Sequence, residues 1–175
     1  MTQHLVVTAV GTDRPGIVNQ LTQLASQCGC NIVDSRMALF GSEFTLIMLL
    51  SGEHNAMLQI ETRLPIMAQQ LQLLTVLKPT TPHTQLDYHT TALLQLTITD
   101  SPGVISQVTQ LISDHGLDLV GLKSNLFSEQ GNEMLSAEFE AKLSTDADHK
   151  LLSADYDRLC EKLGTQQHQL QFLSI

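Results

Sequence analysis

Asp13-Arg14-Pro15-Gly16 and Asp100-Ser101-Pro102-Gly103 are the stretches of this sequence whose residue types and spacing suit binding chemistry. In each, an acid and a Pro-Gly pair stand just ahead of an apolar-periodic segment, so the glycine leaves backbone bare at a helix N-terminus. Unpaired N–H groups and the helix dipole there favour an anion such as a carboxylate. The neighbouring Asp suits an ammonium group, so the turn suits a zwitterion. A purely structural reading competes: Asp caps the helix and Pro-Gly only shapes the turn.

Elsewhere the sequence offers little chemistry. Ser35, Ser101 and Ser106 have no nucleophile motif around them, and neither GxSxG nor a Walker loop occurs. Asp13-Arg14 and Asp34-x-Arg36 read as local ion pairs or solvated turns rather than acid–base pairs. Cys28 and Cys30 flank Gly29 and read as small buried residues around a turn, with Cys160 unpaired. The seven His are scattered, with no metal-ligand spacing. The expectation is a chain with no catalytic residues, no metal and no cofactor.

Charge narrows the partners. The net charge is −9, made of six acids against four Lys/Arg through Asp87 and twelve against five from Tyr88 onward. No two basic residues are adjacent, and aromatic content is 4%, so neither a phosphate-neutralising surface nor a base-stacking one is expected. Met1-Thr2-Gln3-His4 lacks a charged signal-peptide opening, and no apolar run nears the roughly 20 residues that span a bilayer. The expected location is the cytoplasm.

The two turns belong to a repeat. Asp13 to Leu24 returns as Asp100 to Leu111 at an offset of 87 residues, and the match continues without a gap through Gly29/Gly116, Ile32/Leu119 and Val33/Val120. Such a period exceeds a solenoid unit and suits a small domain. The expected organisation is module 1 over residues 1–78, a Pro- and Thr-rich linker over 79–90, and module 2 over 91–175. A module of this size buries a marginal fraction of its surface alone, so the copies are expected to lean on each other.

The elements that must position the turns follow from periodicity. Leu5–Val10 and Leu93–Ile98 read as strands. Ile17, Val18, Leu21, Leu24, Ala25 and Cys28 make one helical stripe, repeated by Val104, Ile105, Val108, Leu111, Ile112 and His115. Pro15 and Pro102 suit the first helical turn, while Gly29 and Gly116 end it. Asn31–Phe40 and Asp118–Phe127 read as extended, followed by turns at Gly41-Ser42 and Ser128–Asn132. Second helices carry Met57, Ile60, Leu64, Met67 and Leu71, with Pro65 expected to kink or restart the first of them, and Leu152, Tyr156, Leu159 and Leu163. Leu73–Leu77 and Leu170–Leu173 close each copy. The order β-α-β-β-α-β, twice, predicts an α+β protein of two ferredoxin-like modules, each a four-stranded antiparallel sheet with two helices.

One strand breaks the symmetry. Leu135, Ala137, Phe139 and Ala141 alternate with polar residues, whereas Phe44–Leu50 is apolar on both sides. Thr45, Ile47 and Leu49 are therefore expected to form an interface, covered by the other module, by a second chain or by a partner.

The strand–DRPG–helix opening and the Gly29-Cys30-Asn31-Ile32 continuation resemble the ACT domain, a small regulatory ferredoxin-like module, in both copies. The run from Gly11 to Gly52 is similar, more closely, to the tandem ACT transcriptional repressors of the glycine cleavage system in proteobacteria. That resemblance implies a non-enzymatic repressor of the glycine cleavage operon that contacts a LysR-type activator rather than DNA, and it implies relief by glycine. The ACT resemblance alone implies instead an amino-acid-sensing regulatory subunit of a metabolic enzyme. ACT ligands imply a site at Thr12, Asp13, Gly16 and Asn31. In the second copy the matching residues are Asp100, Gly103 and Asp118, with Ser101 replacing Arg14 and Asp118 replacing Asn31.

Overall fold

The computed structural model describes residues 2–81, 88–144 and 147–174. The chain divides into two compact units, Met1–Thr84 and Gln85–Ile175. The first contains β1 (Gln3–Thr12), α1 (Ile17–Gln27), β2 (Asn31–Phe40), β3 (Glu43–Gly52), α2 (His54–Leu71) and β4 (Leu74–Thr80). The second contains β5 (Tyr88–Thr99), α3 (Val104–Asp114), β6 (Asp118–Glu129), β7 (Asn132–Ser144), α4 (His149–Leu163) and β8 (Gln167–Ser174). The sheets run β2-β3-β1-β4 and β6-β7-β5-β8, with every neighbouring pair antiparallel. This is the βαββαβ order of an α+β ferredoxin-like module, twice over. Of the expected linker, Pro79 and Thr80 lie in β4 and residues 88–90 in β5, while 82–87 fall outside the described residues.

Each unit has its own core. In the first, Ile17, Leu21, Leu24 and Ala25 of α1 and Met57, Ile60 and Leu64 of α2 cover Leu5, Val7, Phe44 and Leu50 on one face of the sheet. In the second, Val104, Val108, Ile112, Leu152 and Tyr156 cover Leu94, Leu96, Phe139 and Ala141. All four helices end in the same device: the amide just after a left-handed residue reaches back five, as in Cys30 N–H to Ala25 O at 2.9 Å and Leu117 N–H to Ile112 O at 3.1 Å. Glycine supplies the left-handed residue at Gly29, Gly116 and Gly164, but Gln72 does so after α2 at φ 56°.

Several local expectations need correction. Pro15 and Pro102 lie before the helices, which begin at Ile17 and Val104 after the left-handed Gly16 (φ 85°) and Gly103 (φ 95°). Neither Asp13 nor Asp100 caps a helix, because glycine occupies the capping position and no side-chain cap forms. Pro65 leaves α2 unbroken from His54 to Leu71. Pro65 and Glu61 are both exposed, so the carbonyl that loses its intrahelical donor faces water. The second hairpin turns on Gln130 and Gly131 alone, since β6 runs on through Glu129. Asp34 and Arg36 lie exposed on β2 rather than in a turn. Among the described residues, no helix is long and apolar enough to cross a membrane.

Candidate functional site at the strand–helix turns

Both Asp-x-Pro-Gly turns are hung from their sheets by the same bond. Asp13 N–H donates to Ser42 O at 2.9 Å and Asp100 N–H to Glu133 O at 2.9 Å, tying the end of the first strand to the hairpin behind it. The left-handed glycine then reverses the chain into the helix. No atom lies within 4 Å of a Cβ built at Gly16, so the backbone conformation, not crowding, is what demands glycine there. The amides of the first helical turn have no acceptor within the helix and point toward the turn.

The side chains around the two turns differ. In the first module the Arg14 guanidinium donates to the Leu71 carbonyl at the end of α2, and the Ile17 amide closes onto Arg14 O at 3.2 Å. Thr12 Oγ1 donates to Glu43 Oε1 at 3.2 Å, so the hydroxyl is engaged across the hairpin. In the second module Ser101 replaces Arg14, and a cleft of about 590 Å³ opens beside the turn. It is lined by Asp100, Ser101, Gly103, Ser106, Thr109 and Ser124 and by the apolar Val104, Ile105, Leu126 and Leu135, with Thr109 Oγ1 donating to Ser106 O at 3.0 Å. Ser106 Oγ is held in place by donating to Gly103 O at 3.0 Å. An acid, several hydroxyls and bare helical amides over an apolar floor suit a small amino acid.

The structure brings Thr12, Asp13 and Gly16 to one end of the first sheet and leaves Asn31 at the other. Asn31 pairs with Ser51, which pairs on its far side with His4. Thr12 is eight residues further along β1, roughly 27 Å at about 3.4 Å per residue. Asp118 is likewise set against Lys142 and level with Thr91, remote from Asp100 and Gly103 within its module. Ser124, Leu126, Thr109 and Leu135 were not anticipated in the sequence. The offset of 87 maps Ser124 onto Met37 and Leu126 onto Leu39, a pairing that would have flagged β6 as the wall of the cleft.

Other reactive groups are structural. Cys28 and Cys30 are buried, as expected, and Cys160 is buried too, all three free; burial pushes the thiols of Cys30 and Cys160 up from their ordinary range. Burial also raises the Tyr156 hydroxyl, which donates to Gln95 O at 2.7 Å and ties α4 to β5. His115 meets Asp155 at 3.2 Å and His168 meets Asp157 at 3.2 Å. A cleft of about 440 Å³ at the start of β1, lined by His4, His54 and Glu61 among others, lies at the opposite end of the first sheet from its turn. Among the described residues no group of three His, Cys, Asp or Glu is placed to hold a metal ion.

A profile of the ACT domain matches residues 3–78. The glycine cleavage system transcriptional repressor of Escherichia coli (strain K12) is 39% identical over 165 residues, covering 93% of this chain and 87% of the relative, and that of Shigella flexneri matches equally. A crystal structure provisionally assigned as a glycine cleavage system transcriptional repressor superposes with a TM-score of 0.78 at 36% identity, covering 100% of this chain and 99% of that one. A protein of unknown identity from Galdieria sulphuraria shares the fold at a TM-score of 0.75 and 20% identity, covering 100% and 99%. Two ACT modules joined in one chain, matched over nearly their whole length, place this chain in the family of the glycine cleavage system transcriptional repressors.

Proposed function

We propose that this chain is a non-enzymatic transcriptional regulator that represses the glycine cleavage operon by contacting a LysR-type activator, and that glycine bound at the second-module cleft relieves repression. The observation that carries the regulatory part is the 39% identity to named repressors across 93% of the chain. The charge of −9 and the dispersed cations agree with a regulator that acts on a protein rather than on DNA. The carboxylate of the amino acid would lie on the Val104, Ile105 and Ser106 amides and its ammonium beside Asp100. The first turn, with Thr12, Asp13 and Gly16 at one end and Asn31 at the other, offers only part of the same chemistry.

Pull-down of the LysR-type activator by the purified chain, with and without glycine, tests this reading. Retention of the activator without glycine and release with it is the expected result. Retention of a metabolic enzyme in place of the activator would identify a regulatory subunit instead. Titration calorimetry with glycine and larger aliphatic amino acids reads the ligand separately, and the apolar walls of the cleft predict measurable binding of small aliphatic members.

A further inference from the structure

We propose that the outer face of the first module's sheet is where a second copy of this chain docks, sheet to sheet, about a two-fold axis running along the strands. The helices cover only one face of that sheet, and the other is apolar at its centre. Ile47 is 48% exposed, Val76 57% and Leu74 70%, with Val6 and Leu49 half-buried between them. Monomeric proteins rarely leave so continuous an apolar surface to water.

The register shows what fits it. Across the strands β2, β3, β1 and β4, one row on this face reads Asp34, Leu49, Val6, Lys78. The next reads Arg36, Ile47, Thr8, Val76, and the next Ala38, Thr45, Val10, Leu74. An axis along the strands carries β2 of one copy over β4 of the other and leaves each row facing itself reversed. Asp34 then meets Lys78 of the second copy, and Lys78 meets its Asp34, while Leu49 faces Val6 and Ile47 faces Thr8. The Asp34–Lys78 contacts are complementary in charge and the Leu49–Val6 contacts in polarity, as an isologous interface requires, while Arg36 of the next row faces Val76 at the edge. Among the described residues neither Asp34 nor Lys78 is engaged in an ion pair. Aligned sheets cross at about 30°, so β3 and β1, next to the axis, keep this pairing, while β2 and β4 at the edges are offset by about 4 Å, within the reach of the Lys78 side chain.

Size is adequate. Three strands roughly 34 Å long and the shorter β4, about 4.8 Å apart, present about 600 Å² in projection, near the ~800 Å² that each partner contributes to a standard interface. The second module's matching face is a poor alternative cover. Glu138 takes the place of Ile47 and Glu140 that of Leu49, with Gln169 and Gln171 on the edge strand. Glu138 already accepts from Gln95 Nε2 at 2.6 Å, and setting this face against Ile47 and Val10 would strip water from its carboxylates and amides.

Sedimentation equilibrium on the intact chain tests the proposal. The wild-type chain should associate to a dimer and Ile47→Glu should be monomeric. Lys78→Glu, an exposed change with no bearing on the core, should weaken the dimer about ten-fold or more by setting it against Asp34. Adding Asp34→Lys to Lys78→Glu should restore association. A wild-type chain that stays monomeric, association unchanged in both single variants, or a double variant no better than Lys78→Glu would each overturn the proposal. The first two outcomes would place the cover on this chain's own second module or on another protein.

Discussion

On the outer sheet face, the first module sets Thr8, Val10, Ile47 and Leu49 where the second sets Gln95, Thr97, Glu138 and Glu140. At the strand–helix turn the contrast reverses. The first module carries Arg14, Met37 and Phe44, and the second carries Ser101, Ser124 and Leu135 at the matching positions, all three lining its cleft. The backbone bonds that make the fold are the same in both: the sheet ladders, the amide of Asp13 or Asp100 held by the hairpin, and the shared helix endings. Of the contrasted positions only Phe44 and Leu135 lie in a core, where one large apolar residue replaces another, and the rest can change without disturbing those bonds. With the proposed cleft ligand and the proposed docking face, a duplicated fold divides its labour between a surface in one copy and a cleft in the other.

The strongest way to break this picture is to cut one core and watch the other. Phe44→Ala and Phe139→Ala each remove a ring that is almost wholly buried and should cost about 3–5 kcal/mol. Because the two clusters are separate, hydrogen exchange should accelerate chiefly in β1, β3 and α1 for the first variant and in β5, β7 and α3 for the second. Equal acceleration in both modules from either variant would mean the cores are energetically one.

The turns give a smaller effect. Gly16→Val and Gly103→Val force a β-branched residue into the left-handed region and should each cost roughly 1–2 kcal/mol or somewhat more, measurable by urea denaturation. The strain is alike in both, whereas loss of amino-acid binding should follow only Gly103→Val. A like loss in both variants would put ligand at both turns.

The second helices sharpen the comparison further. Asp148 caps α4 by accepting from the amides of Lys150 and Leu151 at 3.0 Å each, while Glu53 ahead of α2 makes no side-chain cap. Asp148→Ala should therefore cost about 1 kcal/mol and Glu53→Ala close to nothing. Tyr156→Phe should cost a similar ~1 kcal/mol by leaving Gln95 O without its donor. Leu64 holds the corresponding place in α2, eight residues before the first left-handed turn residue as Tyr156 is before Gly164, so that module has no such bond to lose.

Much of this architecture was legible because it rests on periodicity. The stripe from Ile17 to Ala25, the bounds of β2 at Asn31 and Phe40, and the alternation of Leu135, Ala137 and Phe139 were all readable before any coordinates. The turns were legible as motifs but not as geometry. A Pro-Gly pair does not announce that glycine will be the left-handed cap and proline will stay outside the helix. Nor does sequence proximity reveal that Asn31 opens its strand at the far end from Thr12; that follows only once β1 and β2 are seen to run in the same direction on either side of β3. The cleft was hidden for a related reason, since Ser124 and Leu126 reach the turn from a strand distant in sequence.

Amide chemical-shift mapping of glycine binding to the intact chain tests the division of labour most directly. The account predicts saturable shifts at Ser101, Gly103–Ser106 and Ser124, with the Asp13–Asn19 amides left in place. Shifts confined to Asp13–Asn19, or none at either turn, would contradict it.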